Sequence, residues 1–188
     1  MKRWAALLKG INVGGNRKLP MAELRDFAET LGFANVRTLL ASGNLVFDAE
    51  KTSAAALEAR LEAEAEERRG LRTEFLLRDG AAMDAVIAAN PFPQQARERP
   101  GHLLVHFFQR TAPAPAWLAA IDADNAGPEQ LVVAGRELFV DYADGIGTSV
   151  LPPLMAKAKY RALAGDTGVN TARNWNTVLK LGAMLAPD

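Results

Sequence analysis

Apolar positions along the chain change period several times, and each change marks an element. Arg3 to Leu8 is a short, nearly continuous apolar run, as expected of a buried strand, and it ends in the glycine-rich stretch Lys9-Gly10-Ile11-Asn12-Val13-Gly14-Gly15-Asn16-Arg17-Lys18. Pro20 suits the first turn of a helix, where its missing N–H is not needed. Met21, Leu24, Phe27, Ala28 and Leu31 then recur on one helical face, with Gly32 placed to end it. Val36 to Leu40 and Leu45 to Phe47 are β-prone runs, and Ala41-Ser42-Gly43-Asn44 between them reads as a hairpin turn. From Thr52 or Ser53, either able to cap a helix, Leu57, Leu61 and Ala65 recur every four residues. The Glu run from Glu58 to Glu67 reads as the solvated face of that helix, with Glu64 and Arg68 as a favourable pair and Gly70 as its end. Thr73 to Leu77 predicts a fourth strand, and Ala81 to Asn90 a helix stopped by Pro91.

Residues 91–100 hold three prolines and no amphipathic period, the composition of a linker. Beyond it the order recurs. His102 to Phe108 predicts a strand, Pro115 to Ile121 a short helix, and Gln130 to Val133 with Leu138 to Tyr142 a hairpin. A helix near Leu154 to Leu163 follows, then an extended stretch about Val169 to Ala172, then a last helix from Trp175 to Leu185. Each half thus reads β-α-β-β-α-β, the split βαβ or ferredoxin-like order. The expected fold is α+β, two ferredoxin-like units in tandem at residues 1–90 and 101–188, with mainly antiparallel sheets and helices on one face. In that topology the first two strands run the same way. The glycine-rich loop and the Ser42 hairpin should therefore be spatial neighbours.

The 188 residues balance 22 Lys plus Arg against 22 Asp plus Glu, so bulk attraction to nucleic acid or an anionic membrane is not expected. The absence of cysteine excludes disulfides, thiolate metal sites and thiol nucleophiles. No apolar run approaches the roughly 20 residues needed to span a bilayer. The chain reads as a soluble, cytoplasmic protein. Its neutrality is a sum of unlike parts: Met1 to Leu19 carries five basic side chains and no acid, whereas Thr111 to Ser149 holds six acids and one Arg.

Three stretches carry candidate chemistry. The glycine-rich loop places Lys9, Gly10, Asn12, Gly14 and Gly15 before a helix N-terminus, where backbone N–H groups and the helix dipole favour an anion. It is not a P-loop, because Asn16-Arg17 stand where Lys-Ser/Thr is required. Ser42, Gly43 and Asn44 offer a hydroxyl, backbone donors and an amide beside it. Arg173, Asn174 and Thr177 open the last helix, Asn174 as its cap and Arg173 as an anion clamp. His102 and His106 would stand about 13 Å apart on one strand, too far to share a metal. No dedicated metal site, cofactor or general base is identifiable.

These motifs resemble a known family. Leu7 to Gly15, Met21 and Leu24, Ser42 to Phe47, and Arg173 to Leu181 are similar to the bacterial family catalogued as domain of unknown function 1697. The resemblance implies two ferredoxin-like units and brings no established activity. Lys9 stands where that family usually has Arg, Ala41 where it has Gln, and Val150 where Lys is common. The leading expectation is a site for a phosphorylated or carboxylated small molecule, held by Gly14 and Gly15, balanced by Lys9 or Arg173 and oriented by Asn12 and Asn44. The alternative is a non-catalytic interaction or homo-oligomerisation module. RNA binding ranks third, since the strands show no aromatic-rich motif.

Overall fold

The structure, a computed structural model, describes residues 1–12 and 18–187. In chain order the first elements are β1 (Lys2–Leu8), α1 (Met21–Thr30), β2 (Ala34–Thr38), β3 (Asn44–Ala49), α2 (Ala54–Arg69) and β4 (Phe75–Asp79). Then come α3 (Gly80–Ala88) and α4 (Pro93–Glu98), the latter within the proline-rich stretch. The second set is β5 (Leu103–Phe108), α5 (Pro115–Asp124), β6 (Gln130–Ala134), β7 (Glu137–Asp141), α6 (Leu151–Met155), α7 (Ala158–Leu163) and β8 (Asn170–Asn174). Helix α8 (Trp175–Leu185) closes the chain. Two four-stranded sheets result, ordered β2-β3-β1-β4 and β6-β7-β5-β8, every pairing antiparallel. Both have the ferredoxin-like order, in an α+β arrangement. By contact the chain divides into Met1–Ala85 with the residues from Lys180 onward, and Val86–Leu179.

In the first unit Trp4, Ala6 and Leu8 alternate onto the helix-bearing face. They join Leu45, Phe47, Phe75 and Leu77 of the neighbouring strands under Leu24 and Phe27 of α1 and Leu57, Leu61 and Ala65 of α2. Helix α2 begins where Ser53 Oγ accepts the N–H of Ala56 at 3.1 Å, and ends at Gly70 with φ +61°. The Glu run is not wholly solvated. Glu58 is buried, and its Oε1 accepts the Leu77 N–H at 2.8 Å, while Glu62 Oε1 accepts that of Phe75 at 3.2 Å. Strand β4 lies at the sheet edge, so the two carboxylates occupy donors that an edge would otherwise leave unpaired. Burial, with Glu58 and Glu74 nearby, pushes the Glu62 carboxyl above the usual range against that hydrogen bond.

In the second unit Leu104, Phe108, Leu138 and Val140 pack beneath Trp117 and Ile121 of α5 and Tyr160 of α7. The single helix expected near Leu154 to Leu163 is instead two short ones, α6 and α7, separated by an extended Lys157 at φ −65°, ψ 141°. Pro152 and Pro153 lie in the first turn of α6, where the lack of an N–H costs no intrahelical bond.

Candidate functional site

The end of β1 is tied to its surroundings by backbone bonds. Leu8 N–H donates to the Gly43 carbonyl at 2.9 Å and Lys9 N–H to that of Glu74 at 3.0 Å. Gly10 (φ +65°) and Asn12 (φ +57°) then take left-handed conformations that turn the chain; after glycine, asparagine enters this region most readily. The Asn12 side chain joins three segments. Its Nδ2 donates to the Leu19 carbonyl at 2.9 Å and the Ala41 carbonyl at 2.7 Å, while its Oδ1 accepts the Leu19 N–H at 2.8 Å. The loop is thereby anchored at both ends and to the hairpin. Gly14 and Gly15 lie outside the described residues, as do Val13, Asn16 and Arg17.

The hairpin is built around two buried requirements. Asn44 is fully buried, and its Nδ2 donates to the Leu39 carbonyl at 2.8 Å and to Ser42 Oγ at 3.0 Å. Gly43 has φ +73°, and a Cβ there would stand 3.0 Å from Leu8 Cβ and 3.3 Å from Ile11 Cβ. Only glycine allows the turn to approach β1 so closely. The neighbourhood expected from topology is therefore present: loop start and hairpin touch through Leu8–Gly43 and Asn12–Ala41.

Beside this junction is an open hollow of about 410 Å³, lined by Asn12, Lys18, Leu19, Pro20, Met21 and Ala41. Pro20 and Met21 are the start of α1, so backbone donors of its first turn border the hollow. Lys18 is exposed and supplies positive charge. Lys9 is directed elsewhere, its Nζ 3.9 Å from Glu74 Oε1.

Arg173, Asn174 and Thr177 belong to the second unit. Arg173 is buried on β8, and its Nη1 donates to Thr171 Oγ1 and to the Ala172 carbonyl, both at 2.8 Å. Burial lowers its guanidinium to about 10. Asn174 caps α8: its Oδ1 accepts the Thr177 N–H at 3.0 Å and the Thr177 hydroxyl at 2.9 Å. The first unit has a counterpart that sequence reasoning missed. Arg78 on β4 is buried, its Nη1 donates to the preceding carbonyl of Leu77 at 2.9 Å, and Asp79 Oδ1 accepts the Ala82 N–H at 2.8 Å to open α3. Arg78 pairs with Ala5 and Arg173 with Val105, equivalent positions of the two central strands. The signal was an Arg-Asx step at the end of the fourth strand in each half, visible only once the halves are aligned by register.

Among the described residues no group of three or more His, Cys, Asp or Glu side chains is placed to hold a metal ion, and no helix is long and apolar enough to cross a membrane. These features define the class: a tandem of two ferredoxin-like units with a glycine-rich loop clamped to a hairpin. A family model described as a protein of unknown function, DUF1697, matches residues 1–139, and the chain belongs to that family. Among solved structures it is similar to the conserved bacterial protein SP0830 from Streptococcus pneumoniae, with 25% identity and a TM-score of 0.73. That match covers 98% of this chain and 99% of the other. No curated protein matches the chain.

Proposed function

We propose that the protein binds an anionic small molecule, carrying a phosphate or a carboxylate, where the glycine-rich loop meets the Ser42-Gly43-Asn44 hairpin. The observation that supports this reading is the Asn12 clamp, which holds loop and hairpin together beside a hollow bordered by Lys18 and the first turn of α1. Backbone donors of a helix's first turn next to an exposed cation suit an anion better than an apolar ligand. In this reading Lys18 balances the charge, Asn12 and the hairpin set the shape, and Lys9, shared with Glu74, contributes less. The buried Arg173 and the capping Asn174 and Thr177 serve β8 and α8.

Thermal unfolding of the full chain in low salt, with inorganic phosphate, pyrophosphate, adenosine monophosphate or citrate, tests the proposal. At about a hundred-fold excess over Kd at least one probe should raise Tm by roughly 5 °C or more. Lys18→Ala, an exposed change, should keep the unliganded Tm and lose that rise. A rise that persists in Lys18→Ala, or no rise with any probe, refutes the site.

A further inference from the structure

The central strand of the second unit carries a residue its position does not explain. His106 lies between Leu104 and Phe108 on the helix-bearing face, opposite Leu138 of β7 and Ala172 of β8. Its ring borders a half-open cavity of about 470 Å³ lined by the sheet, α5, α6, α7 and the segment leading into β8. That volume lies within the range of small-molecule sites, which are mostly apolar with a few placed polar groups. Here Trp117, Phe108 and Met155 supply apolar wall. Two groups stand out from it. His106 Nε2 is buried and has no hydrogen-bond partner, a costly condition that buried polar atoms rarely keep unless something else completes them. Burial also lowers its pKa to about 4 against a hydrogen bond with the Asn170 side chain, so near neutral pH the imidazole is uncharged and its Nε2 offers a single lone pair or N–H. Arg161 lines the same cavity from an exposed position and, among the described residues, makes no ion pair. An apolar body fits the walls, a hydrogen-bonding atom completes His106, and a negative group answers Arg161.

We infer that this cavity of the second unit is a binding site for a small carboxylic acid with an aromatic or acyl body, its carboxylate at Arg161 and its body against Trp117 and Phe108. The site is separate from the loop and hairpin of the first unit and does not involve Lys18.

Calorimetric titration of the full chain with 1-naphthoate, indole-3-acetate and octanoate, each paired with its alcohol analogue, is the test. At least one acid should bind with Kd below about 1 mM. Arg161→Ala should weaken that acid about ten-fold, the size of a lost charge-assisted hydrogen bond, while the matching alcohol moves less than about two-fold. Ala156→Trp, an exposed change at the cavity wall, should abolish binding of both, and Lys18→Ala should change neither. Circular dichroism of each variant confirms that it is folded. The inference is overturned if none of the three acids binds below about 1 mM, or if either Arg161→Ala or Ala156→Trp leaves acid binding within about two-fold of wild type.

Discussion

The two units share a register and differ in what lies over the central strand. Ala6 in β1 and His106 in β5 occupy the same place, one residue before the position facing the first residue of the third strand, Asn44 or Glu137. Over Ala6 runs a helix of 16 residues whose Leu57, Leu61 and Ala65 close the core. Over His106 stand two helices of five and six residues, and the space they leave is the 470 Å³ cavity. Repetition of topology, down to a buried arginine and an Asx cap at the end of each fourth strand, does not entail repetition of the core. A single long helix covers the central strand of one unit; two short helices leave open space beside that of the other.

That contrast is open to measurement. Leu61 is fully buried, so Leu61→Ala should cost about 3–4 kcal/mol, whereas Met155→Ala, beside a space already present, should cost about 1 kcal/mol. Urea unfolding of both variants reads the difference, and equal costs would remove the distinction between the covered and the uncovered central strand.

A second test uses acid. The folded His106 titrates near 4, below its ordinary 6.5, because burial opposes its charge. Between those values the unfolded chain binds a proton that the native chain does not. Its contribution is therefore complete above about pH 6.5 and declines as pH falls toward 4. Relative to His106→Gln, the wild type should lose an extra ~2–3 kcal/mol between pH 7 and 4.5. Parallel stability–pH curves for the two proteins would contradict this account.

The smallest effect concerns what the units share. Asp79→Ala and Asn174→Ala each remove a helix cap and should each cost about 1 kcal/mol. If one is silent, the equivalence of the two strand-to-helix junctions is geometric only.

Much of the fold was legible because periodicity and caps act locally. Ser53 and Gly70 bound α2 where the pattern placed them, and the ferredoxin-like order alone predicted that the chain after β1 would meet the hairpin after β2. Less was legible wherever a side chain acts across elements. Glu58 reads as solvated because its helix is rich in acid, yet it serves an edge N–H that no sequence window contains. Asn12 reads as one polar residue among several, and its bonds to Leu19 and Ala41 depend on a left-handed backbone that only the fold imposes. His106 reads only as a residue too far from His102 to share a metal; its place beside a cavity depends on how α6 and α7 divide.

The Asn12 amide has a further consequence. By exchanging hydrogen bonds with Leu19 in both directions it acts as a peptide group would, fastening residue 12 to residue 19 whatever the chain between them contains. Loss of this one side chain would therefore release three backbone groups at once, two on Leu19 and one on Ala41.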